Sequence, residues 1–327
     1  MKRGDARRFA RLAAILAVAW GLPGAALGWA GGTHGYIARH TNFKAGLTSA
    51  DELCNRIDGA NAVDLFNLDF SQLGQKLADI VHGEGNATAA TAWTVATAMP
   101  NPSDVDLAFA YGFSTHNDGW GTDSTAHWSG ITQARDKGYV IAKAELFQAS
   151  LPPEAVAYSG IPEALLPLVS HLMVEYAVDL LLADADPSLG AALAQSAACA
   201  VPADPAVLLG TLVPEVELIL PQFGADAALA PAVVGNAYGI SHWLVGQLGG
   251  VLSLPTDELR HDAMAELLSQ LAPTILGPGG KTPAELKPVI VQMLGLGKTI
   301  TQCDFMAEID ATIGRVNGKM NSLGIAP

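Results

Sequence analysis

The chain carries eight histidines, His34, His40, His82, His116, His127, His171, His242 and His261, and six of them precede residue 172. Neutral imidazole is the commonest protein ligand for metals, so this skew directs attention to the first half. The clearest pair is His171 and Glu175, four apart in the otherwise almost wholly apolar run 165–182. A helical i,i+4 pair projects from one face, which lets two side chains reach one zinc ion. A carboxylate buried among aliphatic side chains is costly without a cation beside it, and a metal ion or an imidazolium supplies one. An exposed polar face with an ordinary His–Glu contact accounts for the pair as well. Asp179 continues the stripe one turn further on, either as a group that orients a ligand or as a helix-face acid.

The segment from His116 to His127 holds two histidines and two aspartates, Asp118 and Asp123. His116, Asp123 and His127 fall at i, i+7 and i+11, one face of a continuous helix. Gly119 and Gly121 interrupt that helix and equally mark a loop that brings backbone close to a site. The alternative is a helix–loop–helix with an Asp118-Gly119 turn and Asp123 as an N-terminal helix acid. Asp79 and His82 form an i,i+3 pair, weaker on its own, for which capping or a surface position is the default. Finally, Trp29 and His34 bracket a short Gly-rich lead-in. If the chain is cut before Trp29, the new α-amine and the Trp29 carbonyl form a five-membered chelate, and His34 can reach the same ion. Such an amine titrates near about 7.7–8.0 and can deprotonate to bind a metal near neutrality.

These side chains need a rigid frame, and the sequence supplies helices. Half of the residues are apolar and aromatics are few, and no stretch alternates with the period of two that a half-buried strand requires. Helical patterns run over 34–43, 51–57, 71–81, 104–115, 123–150 with a break near Lys137-Gly138, 162–183, 204–221, 226–253, 255–275, 282–294 and 297–318. The reading is an all-α, multi-helix bundle of about ten helices. Residues 29–185 form the region with the candidate chemistry, and 186–327 continue the same bundle or form a second lobe. Residues 1–28 read as an export signal, with Lys2, Arg3, Arg7, Arg8 and Arg11 before an apolar run at 12–20 that is too short to span a bilayer. Ala26 and Gly28 suit a cut before Trp29, and cuts after Ala26 or Ala30 satisfy the same small-residue rule. The expected location is secreted or periplasmic, with no transmembrane segment after cleavage.

Without residues 1–28 the chain has 13 basic and 31 acidic residues, a net charge of −18. That argues against a stable nucleic-acid partner or an anionic membrane held by charge, although bound cations can reverse the local field. Cys54, Cys199 and Cys303 lack metal-ligand spacing. Export permits one disulfide, with pairing open and one thiol left over. His40 and His261 lie outside the clusters, and His242, in the apolar run 237–248, reads as a core histidine.

The elements Trp29/His34, Asp79/His82, His116/His127 and His171/Glu175, in this order, resemble the zinc-dependent phospholipase C family and the related fungal single-strand-specific nucleases. The resemblance covers about residues 29–180. It implies a phospholipase C-type helical fold, up to three Zn2+ ions and hydrolysis of a phospholipid or other phosphodiester. One ion would take Asp79, His82, His116 and Asp123, and a second His127, His171 and Glu175. The third would take the Trp29 amine and carbonyl, His34 and a shared Asp123. Asp79 would also be the catalytic group, accepting a proton from the attacking water. The family's central Asp lies four residues after the first histidine of its motif, where this chain has Trp120. Asp123 is preferred for that role and Asp118 is the alternative. A nuclease or nucleotidase with the same ions, or a secreted helical binding protein with a vestigial site, are the competing readings.

Overall fold

The computed structural model describes residues 29–43, 49–67, 69, 71–82, 87–132, 136–199, 206–276 and 281–325. The export signal read at 1–28 lies outside them. Among the described residues there are fourteen α-helices and no strand: α1 Gly31–His40, α2 Ala50–Ala62, α3 Gln72–His82, α4 Ala87–Ala98, α5 Asp104–Thr115, α6 Tyr139–Ser150, α7 Pro153–Ser159, α8 Leu166–Ala185, α9 Leu189–Ser196, α10 Ala206–Ile219, α11 Ala230–Leu252, α12 Asp257–Leu276, α13 Pro283–Thr301 and α14 Phe305–Ser322. The all-α reading is correct. Of the helical region expected over 123–150, the break near Lys137-Gly138 is present, with α6 starting at Tyr139, but among the described residues ahead of it the chain forms only a short π-turn, Ser124–Trp128. The last two helices break at 302–304 rather than at 295–296.

Local signals explain several starts. Ser49 caps α2 through the Glu52 amide. Ser103 and Asp106 form a reciprocal capping box on α5, and Thr282 and Glu285 form another on α13. α1 differs, because its N-cap, Ala30, contributes no side-chain bond.

Two large apolar clusters fill the interior, and a third, small one joins Tyr111 of α5 to Val316 and Met320 of α14 and to Ile325. One large cluster joins Trp29, Ile37 and Ile57 to residues of α6, α8, α9 and α11–α14, so it combines side chains from both sides of residue 185. The other large cluster joins the end of α2 to α3, α4, α5, α10 and α11. Between α2 and α5 the backbones themselves touch. A Cβ on Gly59 would lie 2.1 Å from the Phe109 carbonyl oxygen, and one on Gly112 would lie 1.9 Å from the Arg56 oxygen. Only glycine permits that approach, and it brings the C-terminal end of α5 against α2.

Polar ties complete the frame. Lys143 of α6 is buried against Asp304, which also accepts from the Tyr139 hydroxyl at 2.5 Å. Glu308 of α14, fully buried, accepts from the Ile131 and Thr132 amides at 2.7 Å and fixes the loop after the π-turn. Cys54 of α2 is disulfide-bonded to Cys199 just beyond α9, and Cys303 is free and exposed. Two stretches, Glu163–Ala185 and Ala206–Phe223, are long and apolar enough to cross a membrane. The first, which contains α8, is mostly buried inside the bundle.

Candidate metal centre

Helices α1, α3, α5 and α8, the π-turn and one 3-10 turn send polar side chains to a common point inside the bundle. α8 supplies His171 and Glu175 from one face, with imidazole Nε2 2.7 Å from the Glu175 carboxylate. The π-turn sets His127 opposite, its Nε2 3.3 Å from Nε2 of His171 and its Nδ1 3.5 Å from Asp123. π-turns are rare and recur at functional sites. α5 ends at His116, whose Nε2 lies 3.1 Å from Asp123. α1 contributes His34 and α3 contributes His82, with Nε2 atoms 4.0 and 3.5 Å from Asp123. Asp123 is thus fully buried with four imidazoles within 4.0 Å.

Three of these imidazoles are held from behind. Nδ1 of His116 meets the Ala60 carbonyl at 3.0 Å, a contact that the close α2–α5 approach makes possible. Nδ1 of His82 meets the Ala78 carbonyl at 2.9 Å, and Nδ1 of His34 meets the Thr122 hydroxyl at 3.0 Å. A carbonyl acceptor requires Nδ1–H, so in the neutral, metal-ready imidazole of His82 and His116 the lone pair is on Nε2, facing inward. This is the outer support that metal-ligating histidines show. Facing them, His34 Nε2, His116 Nε2, both Asp123 carboxylate oxygens and Asp118 Oδ1 are buried with no hydrogen-bond partner of adequate geometry. A cluster of buried acceptors that leaves its own members unsatisfied is costly, and a cation at their centre removes the cost.

Four overlapping sets have donor atoms close enough to share an ion: His34, His116 and Asp123; Asp64, His82 and His116; His127, His171 and Glu175; and Asp118, Asp123 and His127. The buried groups can therefore hold metal ions.

Asp64 is the member that the sequence reading missed. It sits in the 3-10 turn Val63–Phe66 after α2. Its oxygens lie 3.1 Å from His82, 3.5 Å from His116 and 3.6 Å from His34. Asp79, expected as both ligand and catalytic group, is exposed on α3 and belongs to none of the sets. The reason lies in the helix. The buried face of α3 runs through Leu77, Ala78, Val81 and His82, and Asp79 is turned about 100° beyond Ala78. The one available signal for Asp64 was a lone carboxylate inside the run Ala62-Val63-Asp64-Leu65-Phe66.

The two candidates for the central acid are both present. Asp123 is at the centre of the cluster, and Asp118 lies at its edge. Trp29 is buried, and its ring stacks on Tyr139 at a centroid separation of 5.4 Å. A ligand role for Trp29 rests on its α-amine and carbonyl, and on a cut after Gly28 that lies outside the described residues. Asp179 accepts hydrogen bonds from the Gly32 amide at 2.9 Å, the Thr33 amide at 2.7 Å and the Thr33 hydroxyl at 2.8 Å. His40 is exposed at the end of α1, and His261 bonds the Val291 carbonyl. His242 pairs with Asp58 at 3.0 Å.

Charge within the metal-free cluster is strongly organised. Burial opposes protonation of His82, but the hydrogen bond to Asp64 and the charge of Asp123 outweigh it and raise the imidazole to about 10. For His116 burial is likewise overcome, by Asp123 and Asp64, to about 9. His34 goes the other way, down to about 3, through burial and the neighbouring His116. Burial and the charge of Asp123 push Asp118 up to about 8, and burial lifts Glu175 to about 7 against the pull of His171. Without a cation, protons on His82 and His116 thus offset Asp64 and Asp123.

No family model, curated protein or solved structure matches this chain.

Proposed function

We propose that this chain is an exported, zinc-dependent phosphodiester hydrolase of the type represented by the zinc-dependent phospholipases C, holding up to three Zn2+ ions. The observation that supports it most is the convergence of unsatisfied Nε2 atoms from His34 and His116 on the unsatisfied carboxylate of Asp123, with Asp64 and His82 beside them. Mixed imidazole and carboxylate donors in sets of three suit zinc, and a set of three leaves a coordination position for water or substrate. Zinc bound there would orient a phosphodiester, activate water and stabilise the negative charge that develops on phosphorus oxygens.

The chain's own residues do the remaining work. His127, His171 and Glu175 form one donor set, and Asp64, His82 and His116 form another. His34 and Asp123 join them, with the Trp29 amine and carbonyl as further donors once the chain is cut before Trp29. The Asp64 side chain retains 21 % exposure, whereas Asp123 is fully enclosed. Asp64 is accordingly the carboxylate placed to meet incoming water and accept its proton, the role that the sequence reading gave to Asp79. The Cys54–Cys199 disulfide supports an oxidising compartment, in keeping with export.

Trp128, which directly follows His127, is exposed. An aromatic face at that position favours a second reading, a nuclease or nucleotidase that stacks a base there. Metal analysis of the mature protein, with turnover measured on a phosphocholine ester and on single-stranded DNA, tests both. Cleavage of the ester alone supports the phospholipase reading, and cleavage of the DNA alone supports the nuclease reading. Zinc-loaded protein inactive on both would leave a helical binding protein, and protein that takes up no zinc refutes the metal reading.

A further inference from the structure

The N-terminus of α1 is capped from a distance. Its cap residue, Ala30, offers no side chain acceptor, yet the second and third amides of the helix are both satisfied, by Asp179 of α8. Orphan amides at a helix start need such an acceptor, and a carboxylate there also meets the positive end of the helix dipole. Asp179 is fully buried and takes a third hydrogen bond from the Thr33 hydroxyl. No cation is paired with it among the described ion pairs. The fit is close on the partner side too. A Cβ on Gly32 would stand 2.5 Å from the Asp179 carboxyl carbon.

Two residues further along α1 is His34, whose imidazole stacks on His116 at a centroid separation of 4.0 Å and points Nε2 toward Asp64 and Asp123. α8, meanwhile, carries His171 and Glu175 on the face that continues to Asp179. One helix therefore presents two donors of one set directly, His171 and Glu175, and sets the position of a donor of another set through Asp179. A rotation or axial shift of α1 by one residue would carry His34 about 100° away. The three hydrogen bonds to Asp179 oppose that movement.

We propose that Asp179 is a positioning residue: by capping α1 it places His34 against His116 and Asp123, and so couples the ion position at His34 to the helix that bears the His127–His171–Glu175 position. This rests on the metal reading above. It assigns Asp179 no contact with ion or substrate.

The test uses the mature full-length chain and three variants, Asp179→Asn, Thr33→Val and Glu175→Gln. Bound zinc is counted by native mass spectrometry during zinc titration. The ring-nitrogen NMR signals of the histidines are recorded in the metal-free protein. Asn at 179 replaces one acceptor oxygen with a donor facing the amides of α1. The expected result is that Asp179→Asn binds one ion fewer at zinc concentrations that saturate the unaltered chain, its affinity at that position falling about tenfold or more, as loss of an outer support does. The His34 ring signals move more than those of His127 and His171, although Asp179 shares α8 with His171. Thr33→Val, which removes one of the three bonds, shifts both readouts in the same direction and by less, and it carries the test if Asp179→Asn does not fold. Combining Asp179→Asn with Glu175→Gln removes a second ion. Retention of every ion with unmoved His34 signals overturns the proposal, and so does an even weakening of all ion positions. If the unaltered chain takes up no zinc, it is the metal reading that fails. Asp179 is then judged on the His34 signals alone, where no movement in either variant overturns the proposal.

Discussion

Asp64→Asn and Asp79→Asn make opposite predictions from residues only fifteen positions apart. Asp64 places its oxygens within 3.6 Å of three imidazole Nε2 atoms. Replacing it removes an anionic donor from the His82–His116 set. Loss of an outer support alone weakens zinc by about 10–100-fold, so loss of a direct donor should reach at least about 100-fold, or about 2.7 kcal/mol. If zinc is supplied at about 1,000 times the dissociation constant of the unaltered chain, binding stabilises the fold by about 4.1 kcal/mol. A 100-fold weaker variant keeps about 1.4 kcal/mol under the same conditions. The zinc-induced rise in Tm should then shrink by roughly 4 °C, using an unfolding entropy of about 0.6 kcal/mol/K for a chain of about 300 residues. Asp79 is exposed and outside every donor set, so Asp79→Asn should leave stability within about 0.5 kcal/mol and the zinc response unchanged. Thermal melts with and without zinc read the difference, because each variant serves as its own metal-free reference. A full zinc response in Asp64→Asn, or its loss in Asp79→Asn, refutes the assignment of the donor set.

Three further outcomes follow from the frame around the centre. Gly112→Ala would set a Cβ 1.9 Å from the Arg56 oxygen; separating α2 from α5 should cost about 3 kcal/mol and loosen the His116–Ala60 contact, read as a lower Tm together with weaker zinc binding. Cys54→Ser opens a cross-link between residues 145 apart; the chain-entropy estimate is about 3–5 kcal/mol, so the urea midpoint should fall in the variant and in the reduced parent alike, and unchanged midpoints would deny the disulfide its stabilising role. His242 is held above its ordinary value by its hydrogen bond to Asp58, against partial burial. A raised folded-state value means that this contribution is complete below about pH 6.5 and is lost as pH rises through the folded value. The stability gap between the parent and His242→Gln should therefore narrow from pH 6 to pH 9, and a gap that widens over that range refutes the pairing.

How much of this was readable from the chain depends on whether a contact is local. The His171/Glu175 pair was legible because helical spacing alone puts both side chains on one face, and the structure keeps them 2.7 Å apart. His116, Asp123 and His127 were legible as a group but for an inexact reason. They come together through a π-turn and a tight loop, not along one continuous helix. Asp64 was illegible because nothing near it in sequence repeats with helical spacing. It reaches the centre from a single 3-10 turn, and its partners are 18 and 52 residues downstream in α3 and at the end of α5. Asp79 drew the attention instead because it lies i,i+3 from His82, a spacing that cannot say which side of an amphipathic helix is buried. The Leu77, Ala78, Val81 and His82 face settles that, and the same face was already present as a pattern in the sequence. Reading which neighbours of a histidine share its apolar stripe, before reading its spacing to an acid, would have set Asp79 aside. A lone carboxylate inside the apolar run 62–66 would then have been the next acid to consider. The same reasoning bears on Asp179, whose i+8 spacing from His171 left it open as a group that orients a ligand or as a helix-face acid. Its carboxylate in fact turns to the amides of α1, a partner that no local pattern announces.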